Sequence, residues 1–325
     1  MTGPHSRGKL VTVFGGSGFV GRYVVRALAK RGWRVRIAVR RPDLAGHLQP
    51  LGAVGQIHAV QANVRYRETV LRAAEGSEAI VNLVAILSEG GAQTFPAVHA
   101  FGAKAIATSA AELGISNLVH VSAIGADADS GSEYATTKAE GEASMLEAVP
   151  GAVIVRPSII FGPEDAFFNR FAAMAELSPL VPVISGDSKF QPVFVGDVAE
   201  VIARGVDGDL EPGSIYEIGG PQVKTFRECL EFMLEIIHRK RRIVSVPMPL
   251  ARIQAAVLQN LPNPPLTIDQ LKLLAHDNVV SDDAIKAGRT LEGLGIDGRT
   301  MAAVLPTYLN RFRPNGEFNR NRKTA

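Results

Sequence analysis

The clearest indication of the fold is the stretch Val11-Thr12-Val13-Phe14-Gly15-Gly16-Ser17-Gly18-Phe19-Val20-Gly21. An apolar run from Leu10 to Phe14 predicts a buried strand, and the apolar spacing from Phe19 to Leu28 predicts a helix. A glycine-rich loop between a strand and a helix can bind the pyrophosphate of a dinucleotide on the free N–H groups of the helix start. A purely structural turn is the alternative. The predicted nucleotide contacts are Gly15, Ser17, Gly18, Phe19, Val20 and Gly21.

Composition and charge narrow the class of protein. The chain is 46% hydrophobic and 21% charged, as is typical of a globular protein with a sizeable core. The formal net charge is only +3, so nucleic-acid binding is not expected. Cys229 is the only cysteine, which excludes a disulfide within the chain, and we expect no zinc or other metal site.

Apolar runs in the sequence are short. The longest, Ala79 to Leu87, is interrupted by Asn82 and falls short of the roughly 18–20 apolar residues of a membrane span. The first predicted strand begins at Leu10, so we expect neither a signal peptide nor a typical transit peptide. These features predict a cytoplasmic, bacterial protein or a mature form.

Strands and helices alternate through the first half of the chain. Further strands are predicted over 34–39, 56–61, 79–84, 118–122 and 152–156, and further helices over 67–74, 95–113 and 133–148. This alternation predicts an α/β fold with a doubly wound parallel sheet, the nucleotide-binding Rossmann type. Such sheets bind ligands beyond the carboxyl ends of their strands, so residues that follow the strands are candidate site residues.

Two arginines follow the second predicted strand. NAD-binding folds carry an acidic residue here for the ribose 2′-hydroxyl, whereas NADP-binding folds use a basic residue for the 2′-phosphate. The acidic position falls on Val39, and Arg40 and Arg41 come next. Because guanidinium groups bind phosphate well, the pattern favours NADP(H) over NAD(H). A pair of solvated loop arginines is the alternative.

Two other strand ends supply candidate nucleotide contacts. Asn63 and Val64 follow the third predicted strand, where related folds place an Asp or Asn against the adenine. The fourth predicted strand closes with Leu83, Val84 and Ala85, which we expect to line the nucleotide cleft.

The segment Tyr134-Ala135-Thr136-Thr137-Lys138 begins the helix after the fifth predicted strand. Its spacing puts Tyr134 and Lys138 on one helix face. A lysine there can lower the tyrosine pKa and hold the nicotinamide ribose, while the tyrosine exchanges a proton during hydride transfer. Ser122, which ends the fifth predicted strand, is the third candidate catalytic residue.

Together these motifs resemble the extended and atypical short-chain dehydrogenase/reductases. Arg156-Pro157-Ser158-Ile159-Ile160-Phe161-Gly162 resembles the family's segment at the sixth strand. The resemblance implies that the backbone at Pro157, Ser158 and Ile159 faces the nicotinamide. Residues 192–199 and 215–220 resemble later family segments, so the match runs from Val11 to about Gly220.

Within that family, the best fit is the nucleotide-binding accessory subunit of respiratory complex I, the NADH:ubiquinone oxidoreductase, with its bacterial relatives. The resemblance rests on residues 15–25, 120–123, 266–274 and 277–280. It implies tight NADPH binding, a mainly structural role and complex I subunits as partners.

Three departures from the active family weaken the case for turnover. Active members usually present several Ser or Thr residues after the fifth strand, whereas Ser122 is followed by Ala123 and Ile124. The stretch from Ser122 to Tyr134 is short, and His99 stands where an asparagine often supports the site. None of these departures weakens the prediction of nucleotide binding.

Two other functions stay open from the sequence. One is a working NADP-dependent reductase, epimerase or dehydratase that acts on a nucleotide-sugar-like, quinone-related or lipid-like substrate. The other is a nucleotide-sensing regulator without chemistry.

The sequence pattern changes after residue 220. We predict an NAD(P)-binding domain over 1–220, with insertions to a small lobe around 162–188, and a mostly helical C-terminal lobe with a basic tail over 221–325. The lobe has a basic cluster at 238–242 and tail cations at Arg311, Arg313, Arg320, Arg322 and Lys323.

The basic clusters lack the interleaved aromatics of single-strand nucleic-acid binding. A solvated face is the alternative for each cluster, but anionic lipid headgroups attract such cations. Helices predicted over 250–261 and 266–274 would add apolar contacts. We expect a protein peripheral on the cytoplasmic face of a bacterial inner membrane, with weak contacts to anionic lipids.

Overall fold

The computed structural model describes residues 8–261, 264–314 and 316. The chain divides into two compact units. The first comprises Met1–Pro157 and Gly196–Ile218, and the second comprises Ser158–Val195 and Gly219–Ala325. That the chain folds as separate domains with a boundary at residue 220 stays a prediction.

Strands and helices follow one another along the whole described chain. The strands are β1 (Leu10–Phe14), β2 (Arg34–Val39), β3 (Ile57–Gln61), β4 (Ala79–Asn82), β5 (Asn117–Val121), β6 (Val153–Pro157), β7 (Ile160–Phe161), β8 (Leu180–Val183), β9 (Lys189–Phe190), β10 (Val193–Phe194), β11 (Ile215–Ile218), β12 (Lys224–Thr225) and β13 (Arg242–Ser245). The α-helices are α1 (Phe19–Lys30), α2 (Arg67–Ala74), α3 (Phe101–Glu112), α4 (Glu133–Ala148), α5 (Phe168–Leu177), α6 (Val195–Asp207), α7 (Phe226–Ile236), α8 (Met248–Leu258), α9 (Ile268–Leu274), α10 (Asp282–Lys286) and α11 (Met301–Leu309). Short 3₁₀ helices cover Pro42–Leu51 and Asn310–Phe312, and a π-helix covers Pro96–Ala100.

A seven-stranded sheet forms the centre of the first unit. Its strand order is β11-β6-β5-β4-β1-β2-β3, and every pairing is parallel. The order reverses between β1 and β4, which is the point where doubly wound sheets bind their ligands. Phe14 pairs with Ala38 on one side and Asn82 on the other, so the carboxyl ends of three strands meet there. The predicted fold class is confirmed.

Helices cover both faces of this sheet. In β5, Leu118 belongs to a buried cluster with Ile106 of α3 and Met145 of α4. Its neighbour Val119 points the other way, against Gly205 of α6, where a methyl group would lie 2.9 Å from Val119 Cγ2. Central parallel strands are buried on both faces, which explains why their sequences are nearly continuous apolar runs.

The structure differs from the sequence prediction at two elements near the strand ends. The helix predicted over 95–113 is divided, because a π-helix precedes α3. Apolar spacing does not reveal the wider turn of a π-helix, which depends on local packing. Strand β4 ends at Asn82 rather than residue 84, because Asn82 Oδ1 accepts a hydrogen bond from the Val84 N–H at 3.0 Å and turns the chain.

The second unit is assembled from small paired elements. Strands β7 and β10 pair in parallel, as do β8 and β13, while β9 and β12 are antiparallel. The late segment 277–280 is part of this framework: Asn278 bridges to Phe190 of β9, and Asp277 Oδ1 accepts the Lys189 N–H at 2.8 Å. The part of the complex I resemblance at 277–280 therefore lies on residues that hold the second unit together.

Candidate functional site

The glycine loop joins β1 to the start of α1, and within it the Gly18 N–H donates to the Gly15 carbonyl at 3.1 Å. Gly15 has a φ of +81°, a conformation that glycine adopts readily, and its N–H donates to the Ala38 carbonyl at 3.1 Å. Helix α1 begins after Gly18, and within the described residues no side chain caps this end and no acidic residue lies in the first turn. The first N–H groups of α1 are therefore available to an anion.

Close backbone contacts give this loop its shape. A methyl group at Gly21 would lie 2.5 Å from the carbonyl carbon and oxygen of Gly16. A methyl group at Gly15 would lie 3.3 Å from Leu83 and Val84, so the loop also packs on the segment after β4. The uncapped start of α1, which follows a loop closely packed at its glycines, fits the pyrophosphate of a dinucleotide.

The two arginines after β2 have different partners. Arg40 is exposed, and its Nη1 donates to Gln93 Oε1 at 2.5 Å. Arg41 forms an ion pair with Asp43 at 2.9 Å, and the Asp43 carboxylate raises the pKa of Arg41. No carboxylate of the described residues lies within ion-pair distance of Arg40. Arg40 is thus the better candidate for a phosphate contact.

The predicted adenine-side residues form a turn after β3. Asn63 Oδ1 accepts the Arg65 N–H at 3.2 Å, while the Asn63 N–H donates to Thr69 Oγ1 at 3.0 Å. Val64 is buried against Gly102 of α3. Arg65 Nη1 donates to the Ala92 carbonyl at 3.2 Å, so Arg65 and Arg40 both reach residues 92–93. The sequence prediction included neither Arg65 nor Gln93.

Helix α4 carries the predicted tyrosine–lysine pair and begins with a side-chain cap. Ser132 Oγ accepts the Ala135 N–H at 3.4 Å, which fixes the first turn. Lys138 is only 2% exposed, and its Nζ donates to the Val121 carbonyl at 2.8 Å. Burial lowers the pKa of Lys138 to about 8, and Glu142 acts to raise it. Burial raises the pKa of Tyr134 to about 12, so its hydroxyl is protonated at neutral pH.

Ser122 follows β5 and is 5% exposed. Its N–H donates to the Val155 carbonyl at 2.8 Å, but its Oγ has no hydrogen-bond partner among the residues that the structure describes. A buried hydroxyl without a partner is costly unless a ligand or water satisfies it. This hydroxyl is therefore available to a ligand.

Buried polar residues that the sequence prediction did not include lie under the same strand ends. Asn82 Nδ2 is 3.0 Å from His120 Nδ1, and the side-chain Oδ1 of Asn82 accepts the Val84 N–H in the 83–85 segment. Burial lowers the pKa of His120 well below its usual value, so this ring is neutral. The available signal was Asn82 itself, a polar residue inside an apolar strand sequence.

The predicted nicotinamide-side residues fall at the change from the first unit to the second. Pro157 ends β6, and its carbonyl accepts the Ile124 N–H at 3.1 Å. Ser158 Oγ lies 2.6 Å from Asn278 Oδ1 within the second unit. The Ile159 carbonyl accepts the Val193 N–H at 2.9 Å, which belongs to the β7–β10 pairing. The structure gives these residues framework hydrogen bonds, and their nucleotide contacts stay a prediction.

The second unit has a basic cleft of about 680 Å³ whose lining includes Arg227, Lys240 and the carboxylates of Glu231 and Glu235. Two of the predicted surface cations are tied to the fold, because Arg239 Nε donates to the Phe312 carbonyl and Arg241 Nε to the Ala175 carbonyl, each at 2.7 Å.

The other cations of the basic cluster and the tail differ in their surroundings. Lys240 and Arg242 are exposed. Arg311 Nη2 donates to Asn169 Oδ1 at 2.6 Å, and Arg313 Nε donates to the Ile236 carbonyl at 2.9 Å. The tail cations Arg320, Arg322 and Lys323 lie outside the described residues.

Helix α8 presents an apolar stripe, Leu250, Ile253 and Val257, with exposures of 49%, 66% and 68%. Its opposite face is buried, because Ala251 and Ala255 pack with Leu271 of α9. Along residues 8–261, 264–314 and 316, we found no helix with the length and hydrophobicity to cross a bilayer.

A parallel sheet with a glycine loop at its switch point is typical of dinucleotide-binding α/β proteins. Residues 11–219 match the NAD dependent epimerase/dehydratase family. The chain belongs to this family, which confirms the short-chain dehydrogenase/reductase resemblance.

Curated relatives narrow the similarity further. The chain is 34% identical to the mitochondrial NADH dehydrogenase [ubiquinone] 1 alpha subcomplex subunit 9 of Arabidopsis thaliana, over 86% of this chain and 73% of the relative. It is also 30% identical to the ceramide reductase of Caulobacter vibrioides, over 74% of each chain. Among solved structures, the NADPH-dependent quinone oxidoreductase of Escherichia coli in complex with NADPH has a TM-score of 0.71 at 19% identity, covering 90% of this chain and 97% of that one.

Proposed function

We propose that this protein binds NADP(H) in its first unit and serves as an accessory, mainly structural subunit of NADH:ubiquinone oxidoreductase, with little or no turnover. The observation that carries the proposal is the similarity to the alpha subcomplex subunit 9 of Arabidopsis thaliana, which spans 86% of this chain. The uncapped start of α1 after the glycine loop supports retained nucleotide binding, and Arg40 supports NADP(H) over NAD(H).

The test of this proposal is purification of the native protein in a mild detergent. We expect it to co-migrate with NADH:quinone oxidoreductase activity and to release NADP(H) on acid denaturation. A protein that migrates alone, without that activity, would contradict the accessory role. A protein that co-migrates without nucleotide would contradict only the proposed cofactor.

We expect little turnover because the Tyr134 hydroxyl, which would relay the proton, has a pKa far above neutral pH. Burial raises the pKa of Tyr134 to about 12, and the Lys138 ammonium donates to a backbone carbonyl. General acid–base catalysis works best when the pKa of the group lies near the working pH.

We therefore predict that the wild-type protein oxidises NADPH at no measurable rate, and that Tyr134→Phe leaves this result unchanged. In an active site the same change removes a relay worth about 10²–10⁴-fold in rate. The measurement is NADPH consumption at 340 nm with quinone, ceramide-type and nucleotide-sugar acceptors, on wild-type and Tyr134→Phe protein. Robust turnover that Tyr134→Phe abolishes would contradict the structural role.

Nucleotide affinity should fall as the pH rises through about 8. The Lys138 ammonium is the form that donates to ribose hydroxyls, and burial lowers its pKa to about 8, so that form is lost above this pH. Affinity should drop by up to about tenfold for each pH unit above that value. NADPH fluorescence titrations between about pH 7 and pH 9.5 measure the slope. Lys138→Arg keeps its charge throughout and should remove the slope, whereas an unchanged slope would contradict this role for Lys138.

The second unit has features suited to an anionic membrane surface beside the larger complex. Lys240 and Arg242 are exposed just before the α8 stripe, and Val244 between them and α8 is 42% exposed. Cations next to an exposed apolar helix face suit the interface of an anionic bilayer, where each nearby Lys or Arg contributes about 1 kcal/mol. This arrangement supports a peripheral position at an anionic membrane surface, which we propose is the cytoplasmic face of a bacterial inner membrane.

High salt should partly release the protein from native membranes, because the Debye length shrinks from about 8 Å at 0.15 M to about 3 Å at 1 M. The double variant Ile253→Asp/Val257→Asp should reduce the membrane-bound fraction at low salt. Sedimentation of membranes with immunodetection measures both effects. Ile285→Asp is the control for a charge added at an exposed apolar position, since Ile285 is 59% exposed on the separate helix α10. Equal loss in both variants would contradict docking through α8.

The basic tail is tested by truncation after Gly316 rather than after Leu309. A cut after Leu309 would remove Phe312, whose carbonyl accepts from Arg239, and Arg313, which bonds to Ile236. A cut after Gly316 removes Arg320, Arg322 and Lys323 and keeps those bonds. We expect weaker membrane association with unchanged NADPH affinity, and unchanged association would contradict a role for the tail.

A working NADP-dependent reductase, epimerase or dehydratase is the second candidate function. The retained Tyr134–Lys138 pair favours it, as does the relative named ceramide reductase, which suggests a lipid-like substrate. Turnover that depends on Tyr134, in a protein free of complex I activity, would select this alternative.

A further inference from the structure

His99 lies in the π-helix Pro96–Ala100, immediately before α3, and is 2% exposed. A π-turn is rare and is frequently found at functional sites. The backbone of His99 is also close to α4, since a methyl group at Gly141 would lie 2.8 Å from the His99 carbonyl oxygen. The backbone of His99 thus packs against α4, and its side chain is buried.

Hydrogen bonds define the proton position on the His99 ring. Nε2 accepts the Ile86 N–H at 3.0 Å, and Nδ1 lies 3.3 Å from Thr137 Oγ1. The Thr137 hydroxyl also lies 2.8 Å from the Glu133 carbonyl, which can only accept, so its hydrogen goes there. Nδ1 therefore carries the ring hydrogen and donates to Thr137. Burial and the nearby Lys138 charge lower the pKa of His99 to about 3, which keeps the ring neutral.

The faces and edges of the His99 ring contact two aromatic side chains. Phe95 stacks on it with ring centroids 5.4 Å apart and an angle of 28°. Tyr134 meets it edge-on, with centroids 5.2 Å apart and an angle of 89°. Phe95 and Tyr134 are also edge-on to each other at 5.8 Å. The Phe95 and His99 rings together favour one orientation of the Tyr134 side chain.

We infer that His99 is a positioning residue for the nicotinamide half of the nucleotide site. Its ring bonds to Ile86, which follows the segment 83–85, and to Thr137, which precedes Lys138. The same ring packs edge-on against Tyr134 and orients it. An asparagine here offers a donor and an acceptor but no ring to stack on Phe95 or to contact Tyr134. The inference rests on the proposed binding of NADP(H) in this unit.

The test compares two ligands that share one half of the site. NADPH occupies the whole site, whereas 2′,5′-ADP has only the adenosine half with its 2′-phosphate. In His99→Phe the Ile86 N–H loses its acceptor, so we expect NADPH to bind about tenfold more weakly. Binding of 2′,5′-ADP should change by less than about twofold, because its contacts lie elsewhere. His99→Asn, which keeps polar groups but loses the ring, should fall between wild type and His99→Phe.

The control for a general loss of stability is Ile106→Ala. Ile106 is fully buried in α3, so this change leaves a cavity in the core without removing a hydrogen bond at the site. Melting temperatures of all variants are compared first, and isothermal titration measures both ligands. If Ile106→Ala weakens NADPH selectively, as His99→Phe is expected to do, the inference is wrong.

The outcomes separate this inference from the proposed function. Equal weakening of both ligands in His99→Phe and His99→Asn, or no change in either variant, would overturn the positioning role. Wild-type protein that binds neither ligand would overturn the proposed nucleotide site, and the inference with it. Should His99→Phe not fold, His99→Asn alone decides through the same ratio of the two affinities.

Discussion

Gly21→Ala is expected to abolish tight nucleotide binding and to destabilise the first unit by about 1–3 kcal/mol. The added methyl group would lie 2.5 Å from the Gly16 carbonyl and 2.6 Å from the Gly15 carbonyl oxygen. These are backbone atoms of the glycine loop and cannot rotate away as a side chain would. Helix α1 must therefore move off the loop, which displaces the N–H groups that a pyrophosphate needs.

The measurements are thermal melting and NADPH titration. A loss of 1 kcal/mol lowers the melting temperature by about 2–4 °C in a domain of 150–250 residues. Gly46→Ala is the control for a helix glycine, because a methyl group there would meet no other part of the described chain within 4 Å and should lower neither value. An unaltered melting temperature and affinity in Gly21→Ala would contradict the close packing of α1 on the loop.

Gly18→Ala separates binding from stability at the same loop. A methyl group there would lie 3.4 Å from the Gly15 carbonyl oxygen, an ordinary contact, so the melting temperature should stay near that of wild type. If the pyrophosphate sits against Gly18, as we expect, the methyl group takes its place and NADPH affinity falls. If this variant binds NADPH as tightly as wild type, the pyrophosphate does not lie against Gly18.

Arg40→Ala is expected to weaken NADPH binding by about tenfold or more, and NADH binding much less. A hydrogen bond to a charged group is worth about 1.5–3 kcal/mol, and only NADPH carries the 2′-phosphate that would receive it. Arg40 is exposed and bonds to the neutral side chain of Gln93, so its charge is available to the ligand. Equal losses for both nucleotides would refute the assignment.

Arg41→Ala is the matched control for this prediction. Arg41 is the next residue and also exposed, but its guanidinium pairs with Asp43 at 2.9 Å. Its removal should cost less NADPH affinity than the removal of Arg40. Fluorescence titration of both nucleotides against both variants measures the four affinities. If Arg41→Ala loses more NADPH affinity than Arg40→Ala, then Arg41 rather than Arg40 binds the 2′-phosphate.

Local sequence patterns are enough to predict the α/β class, the glycine loop and the helix with Tyr134 and Lys138. Each depends on neighbours within a few residues: apolar runs for strands, glycines for a tight turn, and a four-residue spacing for one helix face. Strand β1 and helices α2 and α4 begin and end where the sequence predicts, because these local preferences agree with the final fold.

The polar groups that contact one another could not be predicted from local sequence patterns. The contacts of Arg40 with Gln93, Asn82 with His120, and His99 with Ile86 and Thr137 join residues on different elements, so no local pattern predicts them. The same holds for the burial that raises the pKa of Tyr134 to about 12 and the exposure of the α8 stripe. Apolar spacing predicts that a helix has an apolar face, but the packing of the whole chain decides whether that face is buried.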